Sequence, residues 1–160
     1  MRRFLHIILA VIGTASIFVL SGADATATPG SGATTTTVGR ATMPAVHLNA
    51  GDFTLRQRQA ADAVTVVVSL DPGGTTGWHL HPGPVINQVV AGTVTYYRGD
   101  DPGCTPQRYG AGEGFWDHGG DVHIVRNEGT TTATFVATFL KVPPGTAPRI
   151  DEPSPGNCPF

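Results

Sequence analysis

The sequence has little charge. Only 14% of its residues are Asp, Glu, Lys or Arg, the formal net charge is −2, and like charges form no block. Nucleic-acid binding ordinarily leaves a basic patch or stripe in a chain, so that class of partner is excluded. Helical periodicity is also missing, because no segment repeats apolar residues at i, i+3, i+4 and i+7. There is no Gly-x-Ser-x-Gly, no phosphate-binding glycine loop and no Cys/His pair at motif spacing. A nucleophile mechanism therefore has no support. Cysteine is limited to Cys104 and Cys158.

What is plentiful is glycine and proline, 21 and 13 residues in 160. That composition suits a turn-rich β protein of one domain. Residues 64–70, VTVVVSL, are β-branched and nearly continuous, which predicts a strand buried on both sides. Residues 132–142, TATFVATFLKV, alternate cleanly. Residues 85–91 and 93–98 predict two strands that turn at Gly92, and 107–109, 115–117 and 122–127 predict shorter ones. Residues 45–48 and 53–58 read as edge strands. Short strands with turn signals between them predict an all-β sandwich or barrel. Trp78, Phe115, Trp116, Phe135 and Phe139 are its expected filling.

The ends of the chain read differently. Arg2 and Arg3 precede an apolar run over residues 4–20, and small residues at 23–27 fit an A-x-A cleavage pattern. Residues 1–27 are thus expected to be a signal peptide, with the protein secreted or extracytoplasmic and no stable membrane insertion after cleavage. The alternative is an uncleaved N-terminal helix acting as an anchor. Residues 28–44 are small and polar, as in a flexible linker with threonines open to glycosylation. The barrel is then expected over 45–142. A proline-rich tail over 143–160 lies on the surface. In an exported chain an even cysteine count points to a Cys104–Cys158 disulfide tying that tail down. Thiolate metal ligation is the weaker alternative, since both cysteines lie in Pro/Gly-rich loops away from the histidines.

The chain is organised around residues 73–92, GGTTGWHLHPGPVINQVVAG. His79 and His81 are one residue apart, so on a strand their side chains share a face. His123 follows in HGGDVHIVRN. These two stretches resemble the paired motifs of the cupin superfamily. Gly73, His79, His81 and Gly92 fit G(x)5HxH(x)3-4E(x)6G, with Val85 at the glutamate position. Gly112, Gly120, His123 and Asn127 fit G(x)5PxG(x)2H(x)3N, with His118 at the proline. The resemblance covers roughly residues 60–142.

The resemblance implies a single-domain jelly-roll β-barrel. It also implies one divalent metal ion (Fe, Mn, Zn, Ni or Cu) on His79, His81 and His123. Val85 has no donor atom, so the implied site has three histidines and open positions, the catalytic kind of arrangement. The alternative is that the histidines pack without metal. Val85, Asn87, Gln88 and His118 are the candidate pocket residues. Alternation puts Asn87 on the face of Val85 and Gln88 on the other. Glu113, Asp117 and Asp121 read as turn residues, which leaves catalytic residues unassigned. The expected function is a metal-dependent oxygenase or isomerase on a small polar molecule. The alternative is a non-catalytic module that binds metal or a small ligand. A homodimer is compatible with either.

Overall fold

A computed structural model describes residues 26–160. The expected signal peptide lies almost wholly outside the described residues. Twelve strands and no helix occur among those described, and none of their segments is a helix long and apolar enough to cross a membrane. The strands are β1 (Ser31–Met43), β2 (Val46–Ala50), β3 (Phe53–Gln57), β4 (Ala61–Thr75), β5 (His79–Leu80), β6 (Val85–Ala91), β7 (Thr93–Arg98), β8 (Gln107–Gly110), β9 (Gly114–Asp117), β10 (His123–Arg126), β11 (Ala133–Val142) and β12 (Ile150–Asp151).

Ten of them form one folded sheet with two leaves. One leaf runs β1-β4-β11-β6-β9 and the other β12-β5-β10-β7-β8, all antiparallel. The leaves are continuous where Thr75 at the end of β4 pairs with Arg126 of β10. This is the all-β jelly-roll barrel expected from the sequence. Alternation fills it: Val64, Val66, Val68 and Leu70 point inward from β4, and Phe135, Ala137 and Phe139 from β11. Their intervening neighbours Thr65 and Ser69 are half-buried outside and bond across to Thr138 and Thr134, each at 3.2 Å. Strand β4 therefore has one core face, where a nearly continuous run of β-branched residues suggested two.

Three expectations change. The stretch read as a flexible linker is β1, paired along its length with β4. Every residue of β1 is exposed, so no buried face imposed an apolar alternation. The strand is specified by backbone pairing, by β-favouring threonines, and by Asp62, which accepts a bond from Thr42 Oγ1 at 2.7 Å and lies 3.5 Å from Arg40. Strands β2 and β3 pair only with each other, as a hairpin outside the barrel sheet. Trp116 is 57% exposed, because its neighbour Phe115 takes the inward position and adjacent strand residues cannot share a face.

The tail is anchored at several points. Strand β12 pairs with β5, matching Ile150 to Leu80 and Asp151 to His79. Cys158 is at bonding distance from Cys104, 54 positions away in sequence. Beneath β5, Cys158 packs with Trp78, Tyr97 and Ile124 in a second apolar cluster. The chain before β1 joins the same place: Thr28 N–H donates to the Glu152 carbonyl at 3.0 Å, and Trp78 N–H donates to Thr28 Oγ1 at 3.0 Å. Replacing Cys158 by Ser should lower the free energy of unfolding by roughly 2–4 kcal/mol, the usual effect of closing a loop of this length. Urea denaturation of parent and variant measures it. Equal unfolding midpoints would show that strand pairing alone holds the tail.

Candidate metal centre

Strand β5 is short because Gly77 and Pro82 flank it, but it carries the first histidine into the middle of a leaf. His79 is paired directly opposite His123 of β10, and opposed residues share a face. His81 follows two positions after His79, on the same side. The three rings converge, with centroids 4.3, 4.7 and 5.0 Å apart, and all three are buried. One ring nitrogen from each lies within 4.8 Å of the others.

Each imidazole is oriented by a main-chain carbonyl. His79 Nδ1 bonds Gly77 O at 2.8 Å, His81 Nδ1 bonds Pro148 O at 2.8 Å, and His123 Nδ1 bonds Asp121 O at 2.9 Å. A carbonyl only accepts, so each Nδ1 carries the proton and each neutral ring presents its Nε2 lone pair. Such an outer hydrogen bond is what fixes a metal-ligating histidine. Gly77 has to be glycine here. Its φ is +72°, and a Cβ on it would stand 2.1 Å from Thr28 O.

Electrostatics keeps the rings neutral. Burial pushes the pKa of His79 well below its ordinary value, and the neighbouring His123 and His81 push it the same way. Burial lowers that of His81 to about 3. For His123 burial also lowers it, against the opposing pull of the Asp117 carboxylate. Three neutral imidazoles with converging lone pairs suit a first-row divalent cation.

The histidines line a cavity of about 290 Å³. Val66, Val68, Phe135 and Phe139 form its apolar wall, and Asn87, Thr76 and Arg149 add polar groups. Arg149 comes from the tail, where it donates to Asp151 Oδ1 and to Thr76 O, each at 2.6 Å. Asn87 is buried on the cavity side, and Gln88 is exposed on the other. Val85 is buried in the barrel core. His118 is turned outward, its side chain 79% exposed.

Sequence reasoning missed Asp117. It falls at the end of the expected 115–117 strand and also reads as a turn residue, but its side chain points inward and is 1% exposed. Its Oδ2 lies 3.1 Å from His123 Nε2 and 3.6 Å from His81 Nε2. The signal available was alternation from Phe115, which puts Phe115 and Asp117 on one face. Tyr96, stacked on the His123 ring at 5.2 Å, was also missed.

Residues 66–139 match the cupin domain family. Among solved structures, an uncharacterized conserved protein with a double-stranded β-helix domain from Klebsiella pneumoniae subsp. pneumoniae MGH 78578 is 28% identical. That match covers 56% of this chain and 73% of that one, with a TM-score of 0.45. An oxalate oxidase is 30% identical over 52% of this chain, with a TM-score of 0.46; the chain spans 44% of that protein's length. A cupin domain from Bordetella pertussis Tohama I is 19% identical, covering 67% of this chain and 91% of that one, with a TM-score of 0.46. No curated protein matches.

The neutral histidines set a pH dependence. Above about pH 6.5, the ordinary histidine value, folded and unfolded chains both hold neutral rings. Below it the unfolded chain binds protons that the folded one resists, so stability is lost as pH falls from about 6.5 towards the depressed folded values. The urea midpoint of chelator-treated protein should drop steadily between pH 7 and pH 4, and a His81→Gln variant should lose less. A flat profile in the parent contradicts the buried neutral rings.

Proposed function

This chain belongs to the cupin superfamily, and from that membership we propose that it is a metalloenzyme acting on a small polar molecule. His79, His81 and His123 are the residues that would hold one divalent ion. The observation that carries this reading is their shared orientation. Three buried rings each give Nδ1–H to a carbonyl and aim Nε2 at a common point beside a cavity. Core histidines without a ligand have no reason to leave three lone pairs facing one another.

A divalent ion there supplies a Lewis acid, and a redox-active one supplies electron transfer as well. The chain's own groups do the rest. The cavity is at the small end of the range for ligand sites, so the substrate has few heavy atoms. Its apolar wall excludes water on one side. Asn87 offers an amide that both donates and accepts. Arg149 uses two of its N–H groups on Asp151 and Thr76, which leaves others to orient an anionic or carbonyl oxygen at the rim. These features fit an oxygenase or an isomerase.

The competing reading is a module that binds metal or ligand without catalysis. Its support in the sequence was the lack of a base in the cavity. Asp117 is buried against two of the histidines but does not line that cavity, so it leaves that support in place. We also place the protein outside the cytoplasm, where a Cys104–Cys158 bridge persists.

Metal analysis of protein purified without added metal tests the assignment. The parent should carry close to one equivalent, or take it up on titration. His81→Ala should weaken binding by more than the 10–100-fold typical of outer-shell changes. A triple variant with His79, His81 and His123 replaced by Ala that held metal like the parent would place the ion elsewhere.

A further inference from the structure

We infer that Asp117 is a fourth protein ligand to the metal, its carboxylate entering from β9 where Val85 leaves none on β6. The inference rests on the three-histidine reading above and deepens it. Val85 and Asp117 are directly opposed in the β6–β9 ladder, so their side chains share the inner face. The carboxylate absent at residue 85 is therefore present one strand away, on the same side of the sheet.

The side chain is held in place for this. Asp117 Oδ1 accepts the Gly119 N–H at 2.8 Å. Gly119 has a φ of +78°, and a Cβ on it would stand 2.4 Å from the Gly83 backbone, so the turn that supplies this donor packs too closely for any other residue. The next turn residue ties the same loop to the site, with Gly120 N–H donating to His81 O at 2.8 Å. With Oδ1 committed, Oδ2 is left pointing at the histidines. It is fully buried and has no hydrogen-bond partner among the described residues.

An oxygen that only accepts thus faces two nitrogens that present lone pairs, at 3.1 and 3.6 Å. All three repel unless something electron-deficient lies among them. A proton between Oδ2 and His123 Nε2 relieves one contact and leaves the lone pairs of His79 and His81 unmet. A cation relieves every contact at once. The spacing agrees, because neighbouring ligand atoms on an ion with bonds of about 2.1 Å stand roughly 3.0–3.5 Å apart. Buried acceptors without partners are rare enough to require such an explanation.

A fourth ligand changes the chemistry expected of the site. Three neutral imidazoles leave a dication's charge whole, and a carboxylate cancels one unit of it. The mixed nitrogen and oxygen set widens the choice towards Mn, which imidazole alone favours less. Four protein ligands leave a six-coordinate ion two positions for substrate.

Co²⁺ titration followed by visible absorption tests this. Asp117→Asn keeps the shape and an oxygen for Gly119 N–H, and it removes the charge. The variant should bind Co²⁺ at least tenfold more weakly, with a shifted ligand-field band. Its metal-free melting temperature should stay level or rise, since a repulsive contact is gone. If the parent binds Co²⁺ and the variant binds it equally well, Asp117 is only an ion-pair partner of His123 and the inference fails while the three-histidine reading stands. If the parent binds neither Co²⁺ nor Mn²⁺, the metal reading falls and takes this one with it. Should the variant not fold, a crystal structure of the Co²⁺-loaded parent decides. Asp117 Oδ2 at roughly 2.0–2.2 Å from the ion supports the assignment, and an uncoordinated carboxylate overturns it.

Discussion

The site depends on three hydrogen bonds from histidine Nδ1 to the main chain. Their acceptors, Gly77, Asp121 and Pro148, lie on three separate segments: the approach to β5, the turn before β10, and the tail. Losing any one frees a ring to rotate or to move its proton to the other nitrogen. The convergence of the Nε2 atoms is therefore a property of the folded backbone as a whole. Side-chain packing then limits what rotation remains, with Tyr96 stacked on His123 and Phe139 set edge-on against His81 at 4.8 Å.

The centre was legible where its geometry is local. His79 and His81 share a face by strand period alone, and His123 stands at the motif position opposite them. The core face of β11 was legible for the same reason. Asp117 was not, because its nearness to the histidines depends on the β6–β9 register, and no pattern within either strand states which residue of one opposes Val85 of the other. Strand β1 failed differently. Burial is what writes alternation into a sequence, and a strand exposed at every position carries none. Phe115 and Trp116 were both expected inside, although their adjacency on one strand forbids it.

The fold sets a polar cluster into an apolar barrel. Apolar residues on β4 and β11 supply most of the interior, and buried His79, His81, His123, Asn87, Asp117 and Asn127 interrupt it. Asn127 shows how such a residue is made structural. Its amide donates to Leu70 O at 2.9 Å and Thr131 O at 2.8 Å, and its Oδ1 accepts from Gly129 N–H at 3.0 Å. Every one of its polar atoms is satisfied within the protein. Asp117 differs from it in this respect: its Oδ1 fastens a loop through Gly119 N–H, but its Oδ2 has no hydrogen-bond partner among the described residues.

The anchoring of the tail has a consequence for the order in which the molecule is made. Chains are synthesised and exported from the N-terminus, and domains form as their segments appear. Strands β1 to β11 are all available while residues 143–160 are still to come. At that stage His81 has no acceptor for its Nδ1 proton, and Arg149 has not reached the cavity rim. The centre is thus the last part of the protein to mature. A cation captured early would meet an unfinished coordination sphere, whereas one that arrives after the tail has docked meets three aligned rings. On the proposed metal reading, an ion met after the tail docks would find all three rings oriented by their carbonyls.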